Sequence, residues 1–567
     1  RKVGRSKHSS SRRGPPFLKV RQWLCSRPDR CAVGDDKVSD ATKEAAAIGW
    51  EPEIEELRFR RAEAQRLGGA EAVEKHHSQN RLTIRERIGG LVDGGTFQEV
   101  GGLTGQGRYA DGKLTGVTPA PYVMGLANIE GRPVAIGGED FTIRGGTSWS
   151  GDRKKGGQGG FIEDLAASYL IPLVNLIDGA GGSVTSINRR GHSVFPGVHG
   201  FERSVELMGK VPVVSAVLGT AAGGPAGRAI LLHWSVMVKG TSQVFAAGPP
   251  VVERSLGQKI SKEDLGGAHI TDEHTGTIDN RAKDEAECFA MVKRYLSYMP
   301  QNVWEMPPIV DIGDPVDRAE DALASIVPRD RRRPYNMRKL IELVADKGSI
   351  FEIQPTYGKA LITAFARMNG KVVGILANNP MVYGGAMDVR AARKQTHFIE
   401  LCDSFHIPLV FFVDVPGFMV GKDAEAAATL REGMRAVYVA LQASVPMFTV
   451  VVRKCYGMAG MGATDKNGLD FKIAWPSAEW GSLPIEGGVA AAFRREIAAA
   501  PDPKAREREI EADLRSMASP FRTAEAFGVE DIIDPRETRA YLCRFIDAAQ
   551  GRIRTTLGPK ARYGVRP

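Results

Sequence analysis

At 567 residues, 43% hydrophobic and 25% charged, the chain is too long for one compact domain, and no apolar run reaches the roughly 18 residues of a membrane-spanning helix. Its net charge of +9 suggests an acidic partner, but residues 1–34 hold ten Lys or Arg against the single acidic Asp29. The remainder is near neutral, so nucleic-acid binding by the core loses its main support.

Residues 1–45 read as a basic, Ser-rich leader, expected to be disordered. It is either an organelle transit peptide, which would place the protein in the mitochondrial matrix, or a wrongly assigned start, which leaves it cytoplasmic. Residues 46–310 read as one α/β domain. EGRPVAIGGEDFTIRGGT from Glu130 gives a strand and the Gly145-Gly146 turn. Arg153, Lys154 and Lys155 follow among glycines and suit the phosphates of a nucleotide-bearing thiol such as CoA, or are simply a solvated charge run. FIEDLAASY from Phe161 is helix-like, and LIPLVNLIDGAG from Leu170 is a short apolar run into a Gly turn. Such a run is best read as a buried parallel strand. VPVVSAVLGTAAGGPAG from Val211 gives a second strand and turn of this kind.

A Pro- and Arg-rich linker at residues 311–328 leads into a second domain, 329–555, which repeats the series; residues 556–567 are a tail. NGKVVGILANNPMVYGGA from Asn369, FIELCDSF from Phe398, HIPLVFFVDVPG from His406 and VPMFTVVVRKCYGMAG from Val445 echo the first copy in order. The landmarks recur at nearly one offset: Gly145 and Gly384 lie 239 residues apart, Asp178 and Asp414 236, Gly223 and Gly457 234. The fold expected is α/β, made by internal duplication. Gly turns after parallel strands are where open α/β sheets bind ligands, so two copies imply two related sites, unless the duplication only enlarges the core.

The turns differ in an informative way. Pro416 stands opposite Ala180 and has no N–H, whereas Pro225 stands opposite Ala459. Each copy thus keeps one amide-rich turn (Ala180-Gly181 in the first, Gly457-Met458-Ala459 in the second) and blocks the other. Two readings fit: paired amides hold one oxyanion per copy, or Gly and Pro merely shape tight turns. No HExxH, GxSxG or P-loop pattern is present, and the ten histidines are scattered. Six cysteines without a CxxC pair argue for a reducing compartment and against a disulfide framework or zinc cluster; no metal site is expected. Chemistry in which a cofactor supplies the reactive atom, and the protein position and electrostatics, fits best.

RLTIRERIGGLVDGGTF from Arg81, DEAECFAMVKRYLSYMP from Asp284, FVDVPGFMVG from Phe412, WPSAEWGS from Trp475 and GVEDIIDPRETR from Gly528 stand in order along four-fifths of the chain. In these motifs the sequence resembles the carboxyltransferase subunits of propionyl-, acetyl- and methylcrotonyl-CoA carboxylases. The resemblance implies two tandem crotonase-like domains, acyl-CoA on the N-terminal one and carboxybiotin on the C-terminal one of a second subunit, in a homo-oligomer, a hexamer. It carries the enolate-holding turn onto Ala180 and Gly181 and the turn for the biotin ureido oxygen onto Met458 and Ala459. Gly145, Gly146, Arg153, Lys154, Lys155, Gly457 and Met461 are then substrate-binding positions. Released ureido nitrogen is the base that the resemblance implies. Neither a biotin-attachment motif nor an ATP-binding carboxylase domain is visible, so biotin is expected on a biotin carboxylase or biotin carboxyl carrier partner.

Two departures bear on this expectation. Gly-Gly of the family is Ala180-Gly181 here, and its YGGAYD is YGMAGM from Tyr456, which puts Met461 where propionyl-type members have an acidic acyl-pocket residue. A flexible apolar side chain favours a hydrocarbon acyl group over a charged one. The alternatives are the carboxyltransferase of a decarboxylase complex, running the transfer in reverse, and a non-catalytic CoA- or nucleic-acid-binding protein on the same fold.

Overall fold

The strand-and-turn series read twice in the sequence builds two mixed eight-stranded sheets of matching topology. The computed structural model describes residues 49–147, 160–182, 184–193, 195, 199–464 and 470–560. Arg153, Lys154 and Lys155 lie outside the described residues, as does the leader expected at 1–45. Of two compact units, Arg1–Arg58 and Phe59–Pro567, the second holds both sheets.

In the first half, helix α1 (Ile84–Leu91) starts at a capping box, Thr83 with Glu86. The strands are β1 (Gln98–Glu99), the separate hairpin β2 (Gly105–Ala110) and β3 (Lys113–Pro119), β4 (Tyr122–Ile129), β5 (Arg132–Glu139), β6 (Leu173–Gly179), β7 (Val213–Ala222), β8 (Trp234–Val238), β9 (Gln243–Phe245) and β10 (Asn280–Ala282). Helix α2 (Phe161–Tyr169) precedes β6, α3 (Gly224–Ile230) follows β7, and α4 (Glu285–Leu296) follows β10. The sheet order is β1-β4-β5-β6-β7-β8-β10, with β9 beside β7. It is antiparallel as far as β5 and parallel beyond. Every residue of β6 and β7 is buried, which is why both read as unbroken apolar runs rather than as alternation.

The second half repeats this with β11 (Phe351–Ile353), β12 (Leu361–Met368), β13 (Lys371–Asn378), β14 (Leu409–Val415), β15 (Met447–Tyr456), β16 (Asp470–Ala474), β17 (Glu479–Gly481) and β18 (Asp531–Ile532). Its order is β11-β12-β13-β14-β15-β16-β18, with β17 beside β15. Helix α5 (Val389–Ser404) precedes β14, α6 (Thr429–Gln442) precedes β15, and α7 (Gly457–Thr464) follows it. The duplication reaches individual backbone angles. Left-handed residues recur at Glu130-Gly131 and Asn369-Gly370, at Arg144-Gly145-Gly146 and Tyr383-Gly384-Gly385, and at Gly223 and Gly457, both with φ 61°.

One hydrophobic cluster spans both halves, and each half has clusters of its own. Trp234 stacks on Tyr295 with ring centroids 4.7 Å apart, and Tyr295 meets Phe365 of the second half at 6.0 Å. No helix among the described residues is long and apolar enough to cross a membrane.

Candidate active site

Both central strands end in a fully buried aspartate, Asp178 on β6 and Asp414 on β14. At each the ladder to the next strand slips. Pairing jumps from Ile177–Val217 to Gly179–Ala221 in the first half, and from Val413–Val451 to Val415–Cys455 in the second. β7 and β15 therefore bulge opposite the aspartate, the local device that re-aims side chains at a strand end. The aspartate amide is held from β5 or β13: Asp178 N–H donates to Glu139 Oε2 at 3.3 Å, and Asp414 N–H to Asn378 Oδ1 at 3.1 Å. A left-handed glycine presses on its carbonyl. A Cβ on Gly146 would lie 2.7 Å from Asp178 O, and one on Gly385 would overlap Asp414 O.

The turn after β6 splits the expected amide pair. Ala180 N–H donates to Gly145 O at 2.9 Å and so closes the turn, while Gly181 N–H meets no described acceptor. Gly181 has φ 81°, and a Cβ there would lie 2.5 Å from Ala222 O, so only glycine fits. In the second half Pro416 cannot donate to the matching carbonyl, and Lys454 Nζ takes Gly384 O at 3.1 Å instead. Met387 then pairs across this turn, its N–H on Gly417 O at 3.1 Å and its carbonyl receiving Met419 N–H at 2.9 Å. The difference between Ala180 and Pro416 is thus one of how the turn is closed.

At the other turn the chain leaves β15 through Gly457 and enters α7 at once. Met458 and Ala459 lie in the first helical turn, whose N–H groups have no acceptor within the helix, and they donate to no described carbonyl. Ala459 and Ala463 face the core, while Met458 and Met461, three apart, are 45% and 43% exposed. In the first half Pro225 occupies the place of Ala459 and packs its ring toward Gly179, where a Cβ would come within 3.0 Å of Cγ.

The structure therefore gathers Gly145, Gly146, Ala180 and Gly181 at one strand end and Gly457, Met458, Ala459 and Met461 at the other. No described contact joins the two groups within one chain.

A family described as carboxyl transferase domain matches residues 75–563. The chain belongs to this family. It is 35% identical over 496 residues to the propionyl-CoA carboxylase carboxyltransferase subunit of Haloferax mediterranei, covering 86% of this chain and 94% of that one. It is 32% identical to methylmalonyl-CoA decarboxylase subunit alpha of Veillonella parvula, over 86% and 93%. Transcarboxylase 12S, solved as a hexamer with methylmalonyl-CoA bound, superposes with a TM-score of 0.79 at 32% identity, over 89% of this chain and 96% of that one. The protein is thus a biotin-dependent carboxyltransferase acting on acyl-CoA, with the duplicated crotonase-like architecture.

Buried ion pairs that sequence reasoning passed over anchor both strand ends of the carboxyltransferase. Arg87 Nη1 lies 2.8 Å from Asp178 Oδ2, and its remaining nitrogens bond Glu285 at 2.7 and 2.9 Å. Arg81 also pairs with Asp178, and Arg453 Nη2 lies 3.0 Å from Asp414 Oδ2. One signal was present: Arg87 stands between Ile84, Ile88 and Leu91 on the buried face of α1, an unusual place for an unpaired charge. Beside Arg81, burial and then the guanidinium itself push the His76 imidazole down to about 4, so it is neutral at physiological pH.

Proposed function

We propose that the chain is the carboxyltransferase subunit of an acyl-CoA carboxylase, moving CO2 to the α-carbon of an acyl-CoA from carboxybiotin borne by a biotin carboxylase or carrier partner, within a homo-hexamer. The observation that carries this reading is the pair of unengaged amides on Met458 and Ala459 at the N-terminus of α7, with the Gly181 amide at the first-half strand end. The Met458 and Ala459 amides suit the ureido oxygen, and Gly181 suits the thioester oxygen of an enolate; a lost donor of this kind costs about 3–4 kcal/mol of barrier. Carboxybiotin supplies the CO2 and, once relieved of it, a ureido nitrogen able to accept the α-proton. The chain holds both partners still and stabilises charge as it develops.

The exposed Met461 beside these amides favours a hydrocarbon acyl group. Cys288, Cys402 and Cys543 are free, which suits the cytoplasm or the mitochondrial matrix. Reconstitution with biotin carboxylase and carrier subunits, and acetyl-, propionyl-, butyryl- and a branched acyl-CoA, should show ATP- and bicarbonate-dependent carboxylation. A protein that instead only decarboxylates carboxylated CoA esters onto biotin works in the opposite direction, as the name of the Veillonella relative suggests.

A further inference from the structure

The same ion pair stands at both strand ends but is assembled from different parts of the chain. In the second half the bulge of β15 carries Arg453, whose Nε and Nη2 lie 3.1 and 3.0 Å from Asp414 Oδ2. The next N–H, that of Lys454, donates to Asp414 Oδ1 at 3.1 Å. In the first half the matching bulge residue is Gly219, 234 positions earlier. A Cβ there would overlap both the Arg81 guanidinium and the Asp178 carboxylate. The room left by the missing side chain is filled by Arg81, which arrives from the segment before α1, with Arg87 as a second cation.

Stability alone is a poor reason to keep such a pair. All four groups are at least nine-tenths buried, and desolvation offsets much of the attraction between charges so placed. What both halves have in common is the neighbour. Arg81 lies over the Phe141 ring at 4.8 Å, Phe141 flanks Gly145, and Gly145 O holds Ala180 N–H. Asp414, through Lys454 N–H, fixes β15 three residues before Gly457 and the start of α7.

We infer that Arg81 with Asp178, and Arg453 with Asp414, are positioning residues, the first pair for the Gly181 turn and the second for the Met458–Ala459 elbow. This rests on the function proposed above. The second pair locks its strand end to the bulged neighbour and the first locks its strand end to the segment before α1, so that the amides beyond face a developing oxyanion without reorganising.

The test uses the full-length protein with its biotin-bearing partner. Arg81→Ala should speed amide hydrogen exchange at residues 179–182 but not at 457–460, and should lower kcat about a hundredfold while the acyl-CoA Kd moves little. Arg453→Ala should do the reverse in exchange, and Arg81→Lys, which keeps the charge without the fork, should show a weaker form of the Arg81→Ala effect. Exchange rising alike at both turns in either alanine variant would make these pairs general supports of the core and overturn the inference. If the wild type transfers no carboxyl group to any acyl-CoA, the functional reading falls, while the exchange pattern still decides whether each pair sets its own turn.

Discussion

Ala459 brings the second elbow little beyond a buried methyl group and an N–H, so the N–H can be tested almost alone. Proline is tolerated in the first turn of a helix, and the first half already carries Pro225 at the equivalent place in α3. Ala459→Pro should therefore fold, bind acyl-CoA normally and lose about 10²–10³ in kcat. Single-turnover transfer from carboxybiotin measures this, and near-normal turnover would remove Ala459 from the site. Met461 is the complementary case, a side chain proposed to read the substrate. Because it is 43% exposed, Met461→Asp should cost the fold little, yet it sets a carboxylate against any apolar acyl tail. kcat/KM should drop tenfold or more for butyryl-CoA, about 1.4 kcal/mol per tenfold, and less for acetyl-CoA. A uniform drop across the series would assign Met461 to the biotin side instead. The positions of these residues were legible in the sequence because Pro or Gly at duplicated places states directly which N–H groups exist. The bond from Ala180 to Gly145 was not, because it joins residues 35 apart through tertiary packing.

At the scale of the element, the turns behind the strand ends depend on left-handed glycines pressed against a carbonyl. Gly145 and Gly146 separate the two contributions. Both have positive φ, 63° and 69°, but a Cβ on Gly145 would meet nothing closer than 3.7 Å, while one on Gly146 would lie 2.7 Å from Asp178 O. Gly145→Ala should cost about 1–2 kcal/mol, the strain of a left-handed L-residue. Gly146→Ala should cost clearly more, because the strand end must also move, and it should impair acyl-CoA turnover as Gly145→Ala does not. Denaturant midpoints with kcat on the same samples would check this; equal losses would mean the close approach is unimportant. The strands themselves were readable from apolar runs ended by Gly turns. The bulges were not, since a bulge is a relation between two strands, and Gly219 looks in sequence like any glycine in a buried strand.

At the scale of the whole molecule, the duplication was written plainly in the offsets, whereas the hydrophobic cluster that spans both halves emerges only when Trp234, Tyr295 and Phe365 come together. Two buried histidines also tie the halves together and give the fold a pH dependence. His233 accepts Val213 N–H at Nδ1, donates from Nε2 to Met208 O at 2.8 Å, and lies edge-on to Phe405 of the second half with ring centroids 4.7 Å apart. His406 reaches back to Val303 O at 2.5 Å. Burial pushes His233 down to about 3 and His406 to about 4, close to His76 at about 4. A folded pKa below the usual 6.5 means that the unfolded chain takes up protons which the native chain refuses. Their contribution to stability is therefore complete above about pH 6.5 and is lost as pH falls toward 4, at about 1.4 kcal/mol per pH unit for each histidine. Together the three contribute up to about 4 kcal/mol per unit toward the acid end of that window, offset in part by Asp140, Asp272, Asp279 and Glu479, whose carboxyls burial pushes up so that the folded chain takes up protons there. Denaturant unfolding at fixed protein concentration between pH 7 and 5 measures the net slope. His233→Asn should be less stable at pH 7 but shallower by one proton, because Asn can still accept the Val213 N–H and has nothing to titrate. An unchanged slope in that variant would show that His233 does not bind its proton on unfolding, and so that it is already charged between the two halves.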